Sequence, residues 1–240
     1  VGPSPDWLRG ALESMGQRSI NNVVDATNYV MFHLGQPLHA FDAGRLIERE
    51  GVYSIRVRKA KAEERMVALD DKEYTLAENM LGIAGVKGGA PAGITEETSD
   101  IIIESANFEG VNVRKTAAAL RLRTDASSRF EQGISPEMAA YGMRDAAKLI
   151  VELAGGELVG FVDEYPVAAE KQTAQVSVPT INRILGTSLT AGEVTSILTR
   201  LDLAHSQTGD DFEVHVPFER LDLSIPEDLV EEIARIAGYE

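Results

Sequence analysis

Cysteine is absent from the 240-residue chain. That excludes a thiolate nucleophile, a disulfide and the cysteine-built metal knuckle, and with them papain-like chemistry, iron–sulfur clusters and the usual structural zinc sites. No stretch approaches the ~18 consecutive apolar residues of a membrane helix, and no charged start followed by a short apolar run marks a signal peptide. Positive charge is scarce: 23 Lys and Arg stand against 38 Asp and Glu, a formal net charge of −15. Histidine is scarce too, with four in all. No two have metal-ligand spacing, and no Ser-His-Asp order can be defended. What remains is an ordinarily hydrophobic composition, 44% apolar, which predicts a soluble globular protein of one or two domains with a substantial core. A reducing cytoplasm suits it. The opening at Val1 and the stop at Gly238-Tyr239-Glu240 read as a piece of a longer chain.

Periodicity divides the sequence. Trp7, Leu8, Leu12 and Met15 predict a short amphipathic helix over residues 5–17. Asp25 is placed to cap a second helix carrying Tyr29, Val30, Met31 and Leu34, ended by Gly35 and Pro37, so that Gln36 to Asp42 becomes a loop. The period then changes to two at Val52–Arg58, Met66–Leu69, Leu81–Ala84 and Ile101–Ile103, with Asp70-Asp71 as a turn. Helical patterns return at about 110–122 and 136–154, broken by Arg123 to Ser128. Residues 1–165 read as an α+β domain, helices around a mixed sheet. A linker over Asp163–Thr173 leads to residues 166–240, a small helix-turn-helix-like α/β domain. Its helices are Ile181–Leu185 and the one opened by the capping box Thr190/Glu193. A strand over Phe212–Val216 and a helix over Pro226–Ala237 follow.

The second domain carries 5 basic and 13 acidic side chains, which argues against duplex DNA on its helix-turn-helix. One patch differs. Arg114, Lys115, Arg121, Arg123 and Arg129 lie in a stretch whose only acid is Asp125; it suits a polyanion, although spacing alone favours a solvated helix face.

Four further features invite chemistry. Gly85, Gly88 and Gly89 close a predicted strand and let a ligand approach the backbone, although Lys87 precedes the glycine pair and no Walker or dinucleotide fingerprint is spelled. Spacing alone favours a tight turn over a ligand site. His39 sits after Pro37, in a setting where a histidine is more often structural than catalytic. Glu104 follows three isoleucines, so it is either a paired core carboxylate or a group that reads a ligand. Asp228, Glu231 and Glu232 share a helix face with Asp222 upstream. They suit a hard cation, or merely complement the helix dipole.

Taken together, Val24-Asp25-Ala26-Thr27-Asn28-Tyr29-Val30, Gly35-Gln36-Pro37-Leu38-His39-Ala40-Phe41-Asp42, the run Arg123 to Glu131 and Asp228 to Tyr239 resemble the bacterial phenylalanyl-tRNA synthetase beta subunit. The resemblance runs nearly the whole length, in order. It implies that residues 1–165 are an editing domain that hydrolyses tyrosine mistakenly attached to phenylalanine tRNA. An apolar pocket for phenylalanine rejects an added hydroxyl by only about 10²-fold, so a second sieve must read that hydroxyl. The resemblance gives Glu104 this role. It places Thr27, Asn28 and His39 at the aminoacyl ester as catalytic groups, and Ala84, Gly85, Thr124 and Ala126 around the pocket.

It further implies a Mg²⁺ site from Asp222, Asp228, Glu231 and Glu232 shared with the alpha subunit, incomplete in this chain alone. The implied partners are that subunit in an α2β2 heterotetramer, tRNA(Phe), and tyrosine or phenylalanine, with no DNA and no membrane. ATP-dependent synthesis belongs to the alpha subunit, whose motifs are absent here. Lys87, Ser128 and Gln132 depart from the family pattern, which bears on tRNA contact more than on the amino-acid pocket. The other reading is a non-catalytic module that binds tRNA or the alpha subunit.

Overall fold

Asn21 opens the helix around which the first half of the chain is organised. Its side-chain oxygen accepts the N–H groups of Val23 and Val24 at 3.2 and 2.9 Å, and Gly35, at φ 82°, closes the helix. In the computed structural model, which describes residues 1–46, 48–53, 55, 57–58, 64–67, 72–76, 83–89 and 92–238, this helix is α2 (Asn22–Leu34). Asp25, expected at its cap, lies inside it instead. Fully buried, it accepts hydrogen bonds from the hydroxyls of Ser4 and Ser19 (both 2.5 Å) and from the Ile20 N–H (2.9 Å), which fastens the chain before α2 to the helix.

Two units separate by contact, Val1–Glu164 and Tyr165–Glu240. The first begins with α1 (Asp6–Ser14), whose Leu8 and Leu12 are fully buried. After α2 comes β1 (Leu38–Asp42), where a loop is expected from the sequence. The chain there is extended because it pairs antiparallel with β6 (Ile101–Ser105), far along the sequence; local pattern does not reveal such a partner. Two short antiparallel pairs lie between: β2 (Glu48–Arg49) with β3 (Val52–Tyr53), and β4 (Glu64–Val67) with β5 (Glu73–Leu76). Every pairing among the described residues is antiparallel, where a mixed sheet is expected. Ile83 and Ala84 form a bend and turn, not a strand. The expected strand residues Ser54, Arg56, Ala68, Leu69, Leu81 and Gly82, and the turn at Asp70-Asp71, lie outside the described residues.

Three helices complete the unit: α3 (Gly110–Leu120), α4 (Asp125–Phe130) and α5 (Met138–Ala154). One face of the β1–β6 ladder packs on α2 and α5, with Ala40, Ile101 and Ile103 against Val23, Ala26 and Ile150. In the second unit β7 (Thr173–Ser177), β9 (Asp211–His215) and β8 (His205–Thr208) form one antiparallel sheet in the order β7-β9-β8. Its core gathers Ile181 of α6 (Val178–Leu185), Val194 and Leu198 of α7 (Ala191–Arg200), Phe212, and Leu229 and Ile233 of α8 (Pro226–Ala237). The Thr190/Glu193 box caps α7 as the sequence predicts. The described residues thus make an α+β protein.

Gln36 is a buried polar tie in the first unit. It is fully buried, and its Nε2 donates to the carbonyls of Pro37 and Ala106, both at 2.9 Å. These two residues border β1 and β6, so one amide ties both strands. Gly142 of α5 makes the space for it: a Cβ there would stand 2.6 Å from the Gln36 Cγ. A glycine-to-alanine change inside a helix ordinarily gains about 0.5–1 kcal/mol. At this position overpacking reverses the sign, and Gly142→Ala is expected to lose about 1–3 kcal/mol. Thermal denaturation of the variant checks it; an unchanged or higher melting temperature contradicts the packing described.

Candidate functional site

Register decides what β1 and β6 present. His39 lies directly opposite Glu104, and Phe41 opposite Ile102, while Ala40 faces Ile103 and Leu38 faces Ser105. Because side chains alternate along a strand, opposed residues share a face, and their Cβ atoms stand about 4.5–5.5 Å apart. Ala40 and Ile103 belong to the helix-packed face. His39, Phe41 and Glu104 therefore project together from the other, and all three line a cavity of about 470 Å³, in the size range of small-molecule sites.

The opposite wall is the turn Ile83–Gly89, with Ala84 and Gly85 on the cavity. Gly85 has φ 72°, and a Cβ on it would meet the Phe108 ring at 3.0 Å and Val113 at 3.1 Å. Only glycine suits both demands. Thr124 stands one step behind this wall. Its Oγ1 donates to the Val86 carbonyl at 2.6 Å and accepts from the Ser127 N–H at 3.1 Å, so it caps α4 and pins the turn to it. From α4, Ala126 and the buried Phe130 reach the cavity, with Phe108 edge-on to Phe130 at 5.1 Å.

Both polar groups of the β1–β6 wall are unusual. The Nε2 of His39 is buried with no hydrogen-bond partner among the described residues, a condition that costs about 1–3 kcal/mol unless a ligand relieves it. Burial pushes the His39 pKa down and the Glu104 pKa up, so each is biased toward its neutral form. Among the described residues no cation is paired with Glu104, and it faces the cavity.

Not every predicted residue is brought here. Thr27 is buried in α2 with its hydroxyl donating to the Val24 carbonyl at 2.8 Å, and neither it nor Asn28 lines the cavity. The basic patch is partly committed: Arg123 pairs with Glu131, and Arg129 lies over the Phe32 ring at 4.7 Å beside Asp125. Arg114, Lys115 and Arg121 are exposed. Sequence reasoning missed Phe41, Val86, Ala106, Phe108 and Phe130 as cavity residues; their aromatic and apolar character is indistinguishable from core until the fold is known.

The acidic set of the second unit is occupied by protein groups. Arg220 donates to both oxygens of Asp222 (2.9 and 2.7 Å) and to Glu232 at 2.9 Å, and Arg235 also pairs with Glu232. The hydrogen bond from Arg220 holds the Asp222 pKa down. Asp228 accepts the N–H groups of Ser224 (2.7 Å) and Ile225 (2.9 Å) before α8, which lowers its pKa. Glu231 is exposed. Three of the four carboxylates thus already serve guanidinium groups or a helix start. No cluster of three or more His, Cys, Asp or Glu suited to a metal occurs among the described residues, so this donor set does not fit a Mg²⁺ cage.

Comparison with known proteins places the two units. Residues 1–155 match the B3/4 domain family and residues 174–239 the tRNA synthetase B5 domain. The chain is 45% identical to the phenylalanine–tRNA ligase beta subunit of Halalkalibacterium halodurans and 43% identical to that of Geobacter metallireducens, each match covering 100% of this chain. It spans about 30% of the length of these relatives. A solved N-terminal fragment of the phenylalanyl-tRNA synthetase beta subunit from Pyrococcus horikoshii has 13% identity and a TM-score of 0.45, over 99% of this chain and 69% of that one. With its cavity inside the matched B3/4 region and a B5 region following in sequence, the chain belongs to the B3/4 domain family and is similar, from end to end, to part of the bacterial phenylalanine–tRNA ligase beta subunit.

Proposed function

We propose that the cavity is a proofreading site which hydrolyses tyrosine wrongly joined to phenylalanine tRNA. The observation that carries this reading is the opposition of His39 and Glu104 on one strand face, both aimed into one cavity. A tyrosine ring fits between Phe108, Phe130 and the small residues Ala84, Gly85 and Ala126. Its phenolic hydroxyl donates to Glu104, which phenylalanine would leave unpaired. Hydrolysis of an activated ester demands a positioned water and a stabilised oxyanion more than a strong nucleophile. Neutral His39 orients the water or takes its proton, and the terminal ribose hydroxyl assists. Thr27 and Asn28 contribute from α2, behind β1, without touching the ester.

The longer protein supplies the rest of this proposal. ATP-dependent synthesis, assembly with an alpha subunit as α2β2, tRNA binding, any shared Mg²⁺ and a cytoplasmic location are assigned to it, and no step here passes through a metal. The acidic second unit, 5 basic against 13 acidic side chains, suits contact with protein better than with nucleic acid. No helix among the described residues is long and apolar enough to cross a membrane. The buried Nε2 of His39, without a partner among the described residues, and a described cavity wall that lacks Thr27 and Asn28 favour one other reading, a non-catalytic module that binds tRNA or the alpha subunit.

Release of tyrosine from Tyr-tRNA(Phe) separates the two. Glu104→Ala is expected to lower the preference for Tyr-tRNA over Phe-tRNA by about 10²-fold, and unchanged selectivity removes Glu104 from the mechanism. His39→Ala should slow tyrosine release by about 10²-fold; a native rate removes His39 from the mechanism, and only a native chain that releases no tyrosine is a binding module.

The pKa directions add a pH test. Since burial lowers the His39 pKa, its neutral form persists below the ordinary imidazole range, and hydrolysis should hold its rate there. Since burial raises the Glu104 pKa, discrimination should fade on acidification before exposed carboxylates titrate. The same shift bears on stability. A folded-state pKa above the unfolded one favours folding at acid pH, and that advantage is lost as pH rises through the folded value. Glu104→Gln, neutral throughout, should therefore melt higher than the native chain at about pH 7 and alike at about pH 3. A lower melting temperature at neutral pH would show a structural carboxylate instead.

A further inference from the structure

We propose that Phe41 is a positioning residue of the site: its ring, packed edge to face with the imidazole of His39, holds that imidazole in the orientation from which it acts on the water. This rests on the proofreading assignment and adds what aims its histidine.

A histidine that directs a water needs its ring fixed about two side-chain torsions, and the second of these is broad and roughly two-fold when nothing restrains it. The common restraint is a hydrogen bond from one ring nitrogen to a carboxylate or a carbonyl. At His39 the Nε2 has no hydrogen-bond partner among the described residues. Glu104, directly across the ladder, is biased by burial toward its neutral acid, which makes it a poor anchor for an imidazolium. The contact that holds the ring is aromatic. The centroids of His39 and Phe41 lie 4.4 Å apart with their planes at 73°, the close, near-perpendicular arrangement that ring quadrupoles favour.

Strand geometry supplies this contact. Phe41 follows His39 by two residues on β1, so the two share the cavity face. Ile102 lies opposite Phe41 on β6 as Glu104 lies opposite His39, and cross-strand neighbours of this kind pack on one another. The phenyl ring is thus braced by Ile102 on the partner strand while it bears on the imidazole. An aromatic restraint suits this chemistry better than an ionic one. A carboxylate on the ring would favour the imidazolium, which cannot take a proton from water, whereas an edge-to-face contact fixes the ring and spends neither nitrogen.

The test is a double-mutant cycle on release of tyrosine from Tyr-tRNA(Phe) by the full chain. Phe41→Leu keeps an apolar side chain on the cavity and removes the ring; Phe41→Ile, which suits a strand, takes its place should the leucine variant not fold. Loss of the ring should lower kcat about fivefold to tenfold, the scale of one aromatic pair, and leave KM and the preference for Tyr-tRNA over Phe-tRNA unchanged. Phe41→Tyr, which retains the ring, should keep most of the native rate. In a His39→Ala background, Phe41→Leu should cost nothing further, because the group it aims is gone. The same loss with and without the imidazole, a loss confined to KM, a native rate in Phe41→Leu, or a Phe41→Tyr variant as slow as Phe41→Leu each overturns the positioning role and leaves the amino-acid pocket standing. A native chain that releases no tyrosine overturns the proofreading assignment, and this role with it.

Discussion

The antiparallel register between Leu38–Asp42 and Ile101–Ser105 is the constraint on which the rest of the first unit turns. It sorts the paired residues into two faces. One, with Ala40 and Ile103, is buried against α2 and α5 and supplies the apolar burial that holds the ladder in place. The other, with His39 and Glu104, is thereby obliged to look into the cavity. A slip of one residue would exchange the two sets, so helix packing fixes the chemistry indirectly, by making every other register costly. Gln36 reinforces the same choice from the end of the ladder, its amide holding the carbonyls of Pro37 and Ala106.

Placing an imidazole and a carboxyl side by side would ordinarily invite an ion pair. Desolvation dominates here instead, and each group is driven toward neutrality. The consequence is a site whose polar atoms are kept in want of partners: His39 Nε2 has none among the described residues. Such a site is unfavourable to folding and favourable to recognition, because a ligand that completes the hydrogen bonds recovers what the empty cavity forgoes. The second unit shows the contrary solution. Its carboxylates are satisfied by Arg220, Arg235 and backbone N–H groups, and they are correspondingly poor in appetite for a cation.

Where the sequence is legible, the physics is local. Gly35 ends α2, Thr190 and Glu193 cap α7, and Pro226 opens α8, each visible as a residue type at a fixed offset. Where it is not, the cause lies elsewhere in the chain or in an unusual spelling. β1 exists because of β6. α4 begins with a capping box whose third position is Ser127, not the customary Glu or Gln, so the run reads as a break. β8 is signalled only by the Gly209-Asp210 turn leading into β9, with Gly209 at φ 63°. Among site residues, Ala84, Gly85, Ala126, His39 and Glu104 gather at one cavity. Thr124 serves behind the wall, and Thr27 and Asn28 stay on the helix. Motif order alone could not distinguish a side chain on the surface of a cavity from one that holds that surface in place.

Gly85 leaves the cavity a rigid ceiling. With Phe108 and Val113 crowding its missing Cβ and its backbone in the left-handed region, mutation there cannot trade one side chain for another to resize the space. A change in the size of the chamber must therefore come through other lining positions, small ones such as Ala84 and Ala126 or large ones such as Phe108 and Phe130. Enlarging the first kind narrows the chamber and trimming the second widens it, so its volume is set by these side chains while the glycine keeps the backbone above them in place.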